Sequence, residues 1–228
     1  MELNLESDNL TEDQKVIFWD LIDTFDKKGL LQYIMVIGSW SELIYEKYYL
    51  PNFISRIRTR DVDFLYKNLY VPQDEEFDLI NTLKEKGFVC ETNRSSGISK
   101  FVMGDFLSIE FLIRVLGSGK IQHQEIPSLG IVGIGLRDVN MLASYPLVLK
   151  CDDYTITVPE PEAYILQKLI INSKRLKIEK REKDLHSIRQ LLPYVRKERL
   201  QVIYDEISDK QRKAIDKTCE VNFIDLFE

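Results

Sequence analysis

The sequence predicts an α/β (α+β) lobe followed by a helical lobe. Two observations carry this. Between residues 33 and 158, short apolar runs of strand length alternate with helical periods. From Pro159 onward the pattern is helical throughout. The expected boundaries are 1–158 for the α/β core with its N-terminal helix, and 159–228 for the helical lobe.

The first helix spans 11–28. Thr11-Glu12-Asp13-Gln14 has the form of a capping box, and Gly29 supplies a stop. Val16, Trp19, Ile22 and Phe25 recur at intervals of three, with Phe18 and Leu21 widening the stripe. Residues 33–37 read as a buried strand, 40–49 as a helix before Pro51, and 60–66 as a strand. Asp74 to Lys86 has helical period through Phe77, Ile80 and Leu83, ending at Gly87. Strands are predicted at 88–92, 98–103 and 107–114.

The glycine-rich segment 116–136 reads as a surface loop, carrying Gly117, Gly119, Gly130, Gly133 and Gly135. Residues 147–150 and 154–158 predict a hairpin turning at Asp152-Asp153. Helices follow near 160–175, 179–192, 195–207 and 209–218, with Pro193 between the second and third.

Composition excludes several classes. The 228 residues are 44% hydrophobic and 30% charged, as in an ordinary globular protein. No apolar run approaches the roughly 20 residues of a membrane span. The N-terminus lacks the basic start and apolar centre of a signal peptide. Cys90, Cys151 and Cys219 are far apart and in no metal spacing, so a reducing cytoplasm is expected. A net charge of −6 argues against coating nucleic acid by bulk electrostatics.

The chemistry concentrates in two short motifs. Gly38-Ser39 follows the apolar run Ile34-Met35-Val36-Ile37 and opens a helix. Free N–H groups at a helix start attract anions, and glycine lets a ligand approach the backbone. The plainer reading is a capping box, Ser39-Trp40-Ser41-Glu42. The second motif is Asp61-Val62-Asp63. Side chains two apart on a strand share a face, roughly 7 Å apart at their roots. Two such carboxylates repel unless a cation lies between them. A hard divalent ion satisfies that need, and so does a salt bridge to Arg56, Arg58 or Arg60.

Glu110 interrupts the strand Leu107–Ile113 with one charge among apolar neighbours. It either completes a three-carboxylate site with Asp61 and Asp63 or points to solvent. Lys168 and Arg175 are seven apart and share a helix face; Lys183 and Asp184 lie on the next helix. For any single charge there, a solvated face is the plainer reading. His123 and His186 have no partner that sequence locates. The elbow of serine hydrolases, the nucleoside-triphosphatase phosphate loop and the dinucleotide fingerprint are all missing.

Gly38-Ser39 followed by Asp61-x-Asp63 resembles the signature of the nucleotidyltransferase (DNA polymerase β-like) superfamily. With "IEFLIR", "VPEPEAYILQKLIINSKR" and "KREKDLHSIRQLL", the chain is similar to small bacterial members, including abortive-infection, type IV toxin nucleotidyltransferases. The resemblance spans about residues 33–192.

It implies the nucleotidyltransferase fold, a mixed sheet flanked by helices, with Mg2+ (or Mn2+) held by Asp61, Asp63 and Glu110. It implies nucleotide contacts from Gly38, Ser39, Lys168 and Asp184, with Arg60 and Arg175 as weaker phosphate candidates. The implied partners are a nucleoside triphosphate and an acceptor, which is RNA such as tRNA, a protein or a small molecule. An antitoxin-like protein partner is also implied. The other readings are a catalytically silent binding module of the same fold and a nuclease-like metal site.

Overall fold

The computed structural model describes residues 11–56, 59–67, 78–115, 123–137 and 139–227. Arg58, Asp74, Phe77, Gly117 and Gly119 lie outside them. Helix α1 (Glu12–Lys27) begins at Thr11, whose side chain accepts from the Gln14 N–H while Gln14 returns a bond to the Thr11 N–H. It ends as a left-handed turn at Gly29, where Leu30 N–H bonds back to Phe25 O. The buried stripe is Phe18, Leu21, Ile22 and Phe25; Val16 is exposed, one position off the phase expected.

Strands β1 (Ile34–Ile37), β2 (Asp61–Tyr66), β3 (Val89–Thr92), β4 (Ser99–Met103) and β5 (Leu107–Arg114) form a mixed sheet ordered β1-β2-β5-β4-β3. β2 and β5 run parallel; the other three pairs are antiparallel. Helix α2 (Trp40–Tyr48) follows β1, and α3 (Leu79–Glu85) precedes β3. In α3 the buried pair is Leu79 and Leu83, four apart, while Ile80 is exposed.

The segment 123–136 departs from the expected loop. It forms β6 (Gln124–Ile126) and β7 (Ile131–Leu136), and β7 pairs in parallel with the far end of β5. Gly133 is there for closeness: a Cβ would stand 3.1 Å from Ile113 and from Ile126 and 3.3 Å from the Phe111 carbonyl. Glycine in a strand marks a tight approach of this kind as well as a loop.

Helix α4 (Asn140–Ser144) leads to the hairpin β8 (Pro146–Cys151) and β9 (Tyr154–Pro159), which turns at Asp152-Asp153 with Asp152 at positive φ. Helices α5 (Pro161–Asn172), α6 (Ile178–Leu191), α7 (Lys197–Glu206) and α8 (Asp209–Asn222) pack together, with α5 touching the other three. α5 starts with Pro161 at its first position and is buried almost all round, as a central helix must be.

The sheet's two faces have different tasks. Phe64 and Phe111 stack at 5.6 Å on the face that meets α1 through Phe25. Side-chain alternation puts Asp61, Asp63 and Glu110 on the opposite face.

Candidate active site

The cleft opens at the end of β1. Gly38 has φ +68, a conformation that costs a residue with a Cβ. A Cβ here would also lie 2.8 Å from Asp63 Oδ2. Ser39 makes no cap bond; Ser41 Oγ instead donates to the Gly38 carbonyl at 2.6 Å. The capping-box reading of Ser39 to Glu42 is therefore replaced. Glu42 is buried and accepts from Tyr164 OH at 2.6 Å and from Ser187 Oγ. Its carboxylate ties α2, and so the bend, to α5 and α6.

Strand register places the acids. Asp63 sits opposite Ile37 of β1 and Glu110 of β5, and Asp61 sits opposite Ser108. Asp61 Oδ1 accepts from Ser108 Oγ at 2.5 Å and from Lys100 Nζ at 3.1 Å. Lys100 also lies 2.8 Å from Glu110 Oε1. Burial pushes the Asp61 carboxyl up, but the bonds from Ser108 and Lys100 outweigh it and hold it below its ordinary value. Asp63 has neither a hydrogen bond nor an ion pair among the described residues. Burial, then the charges of Glu110 and Asp61, push it up to about 7.

The opposite wall is helical. Lys168 (8% exposed) reaches Asp184 (4% exposed) at 3.0 Å, and its ammonium stands 4.8 Å from the Tyr164 ring. Arg175 lies past the end of α5, in the turn to α6, rather than on the helix face with Lys168. It still returns to the same carboxylate, with Nε 3.0 Å from Asp184 Oδ2.

Gly38, Ser39, Asp61, Asp63, Glu110, Lys168, Arg175 and Asp184 line one cleft of about 1360 Å³. Arg60 does not line it; its guanidinium bonds to the Asp105 carbonyl. The structure thus separates Arg60 from the other candidates, because it precedes the strand and points to the Gly104–Phe106 turn.

Among the described residues, no group of three or more His, Cys, Asp or Glu is gathered as a metal site. Lys100 stands between Asp61 and Glu110, so Glu110 is in an ion pair where a third metal ligand was expected. Asp61 and Asp63 do fit magnesium, which takes one or two carboxylates plus phosphate oxygens and water. The fit rests on Asp63, a carboxylate with no partner among the described residues, facing a bend kept open by the missing Cβ of Gly38.

Sequence reasoning missed Lys100, Ser108 and Glu42. Lys100 and Ser108 lie in predicted strands, but only the register of β4 on β5 and β5 on β2 brings them to the acids. Glu42 looked like a helix-start residue, and its partners are more than 100 positions away.

The class this defines is an α/β protein with a mixed sheet, whose central carboxylates meet a glycine bend in a cleft walled by helices. The chain belongs to the nucleotidyltransferase family, whose model matches residues 18–212. Among solved structures, it is similar to an antigenic nucleotidyltransferase-like protein from Paracoccidioides brasiliensis. That pair is 14% identical with a TM-score of 0.58, over 93% of this chain and 90% of the other. At that identity the likeness concerns the fold. The antibiotic-resistance factor ANT(2'')-Ia superposes with a TM-score of 0.48 at 11% identity, covering 92% of this chain and 96% of the other. The lincosamide antibiotic adenylyltransferase LnuA gives 0.43 at 14% identity, over 82% and 99%. No curated protein matches the chain. No helix among the described residues is long and apolar enough to cross a membrane.

Proposed function

We propose that the protein transfers a nucleoside monophosphate from a nucleoside triphosphate to an acceptor hydroxyl, releasing pyrophosphate. The observation that carries this is Asp63, a carboxylate without a partner among the described residues, facing the Gly38-Ser39 bend across a cleft that also holds Lys168. Family membership supports it.

In this reading the backbone N–H groups at the start of α2 and Ser39 receive the β and γ phosphates. Asp61 and Asp63 would hold magnesium, which when bound offsets phosphate charge and favours attack at the α-phosphorus. Glu110, opposite Asp63 and paired with Lys100, would take the acceptor's proton as the acceptor oxygen bonds to phosphorus and the bond to pyrophosphate breaks. Lys168 and Arg175 supply positive charge on the helical wall, with Asp184 fixing both. The α/β part to residue 158 would carry the acids, and the part from 159 the cations. The toxin-like branch and an antitoxin-like partner rest on the sequence motifs 158–175 and 180–192.

The test is incubation with each labelled triphosphate, magnesium and a cell extract, following label transfer and pyrophosphate. Asp61→Asn and Asp63→Asn should each abolish transfer while the protein stays folded. Full activity of the double variant would refute the proposal. One observation favours the second reading, a silent nucleotide- or protein-binding module: Lys168 and Arg175 are both engaged by Asp184. Triphosphate binding without pyrophosphate release on any acceptor would select it.

A further inference from the structure

One row of side chains crosses the sheet toward the bend. Register sets Lys100 of β4 opposite Glu110 of β5, Glu110 opposite Asp63 of β2, and Asp63 opposite Ile37, which precedes Gly38. Residues directly opposite in a sheet point to the same face. The row therefore holds an ammonium, two carboxylates and the bend, in that order. The ammonium lies 2.8 Å from Glu110, directly opposite, and also reaches diagonally to Asp61 at 3.1 Å. It neutralises two of the three acids from between them and leaves Asp63 alone.

Lysine is a compact charge on a flexible stem. The Lys100 side chain is 34% exposed and that of Asp61 55%. Water reaches this contact, so the ammonium can leave it without stranding a charge in an apolar interior. Its stem is anchored on β4, and its ion-pair partners among the described residues are those two acids.

We infer that Lys100 is an intramolecular competitor for the divalent cation, holding Asp61 and Glu110 in the metal-free protein and releasing Asp61 when a metal takes it. This rests on the reading that Asp61 and Asp63 hold the metal. The device makes cation binding weak in the absence of nucleotide. A triphosphate brings oxygens of its own and draws the ammonium off Asp61, so metal and nucleotide enter together.

The test is direct Mn2+ titration of the nucleotide-free protein, reading free Mn2+ by its paramagnetic resonance signal, with no turnover required. Lys100→Met is expected to bind Mn2+ about tenfold more tightly than the natural protein, the loss of one charged competitor. Lys100→Gln, polar and of similar reach, should behave alike and serves if the methionine variant folds poorly. Lys100→Arg keeps the charge and should stay close to the natural affinity.

Lys180 acts on Asp61 and Asp63 through space without touching them. Lys180→Met should therefore change affinity by no more than about twofold. Unchanged affinity in Lys100→Met and Lys100→Gln, with binding still lost in Asp63→Asn, overturns the competitor and leaves the metal reading standing. An equal gain in Lys180→Met also overturns it, because bulk charge then explains the effect. Mn2+ binding that survives Asp61→Asn with Asp63→Asn removes the metal reading as well.

Discussion

Gly38 follows Ile37, the strand partner of Asp63, and lies so close to that acid that a Cβ on Gly38 would stand 2.8 Å from Asp63 Oδ2. Gly38 also has φ +68. Gly38→Ala therefore carries two penalties, a strained backbone and a displaced carboxylate. It should cost roughly 1–2 kcal/mol of stability and reduce triphosphate binding far more than that loss alone explains. Thermal unfolding and a nucleotide titration on the same preparation separate the two.

Asp63 should make the metal-free protein less stable as pH rises. Its folded pKa of about 7 lies above its ordinary value of 3.8, so the native state holds this proton better than the unfolded chain. The contribution is fully present below pH 3.8 and is lost as pH climbs to about 7. Asp63→Asn removes it. The difference in stability between variant and natural protein should grow across that window, in favour of the variant, by on the order of 2 kcal/mol after allowance for solvent screening. Urea unfolding in chelator at several pH values measures it; a constant difference contradicts it.

Asp184 holds two cations at once. Asp184→Asn leaves Lys168 buried without a counter-charge, which should cost roughly 3 kcal/mol. Arg175 is 36% exposed at its side chain, so Arg175→Ala should cost under about 1 kcal/mol. Denaturant midpoints of the two variants should differ accordingly, and equal losses would show that burial of Lys168 is not what makes Asp184 matter.

Glu42 depends on two hydroxyl donors, Tyr164 and Ser187. Tyr164→Phe should cost roughly 1–3 kcal/mol, since it removes a donor from a buried carboxylate. With Ser187→Ala the effects should not add, because both act on one oxygen. A double-mutant cycle by chemical unfolding gives the coupling, and strict additivity would separate the two bonds. Both single variants should also weaken triphosphate binding, because Glu42 positions the helix behind the bend.

Much of the fold was legible in local pattern. The capping box at Thr11, the left-handed stop at Gly29, the three strands between 88 and 114 and the hairpin at Asp152-Asp153 are set by neighbours a few positions apart. Where the reading failed, a distant partner decided. Glycine at 133 signals a loop in isolation, but it permits β7 to press on Ile113 and Ile126. Val16 fits a period of three, but Phe18 is the residue that meets Trp40 at 4.6 Å.

The candidate site divides the same way. The sequence by itself determined which acids share a strand face, because alternation along a strand is a property of the backbone. It also marked the glycine bend and the basic helical segment. Tertiary structure alone decided what each charge meets: Lys100 between two acids, Asp63 with no partner among the described residues, Asp184 on two cations, and Arg60 turned away. Charges act through space over a few ångströms, and those distances exist only after strands whose paired residues lie 39 and 47 positions apart have taken their register.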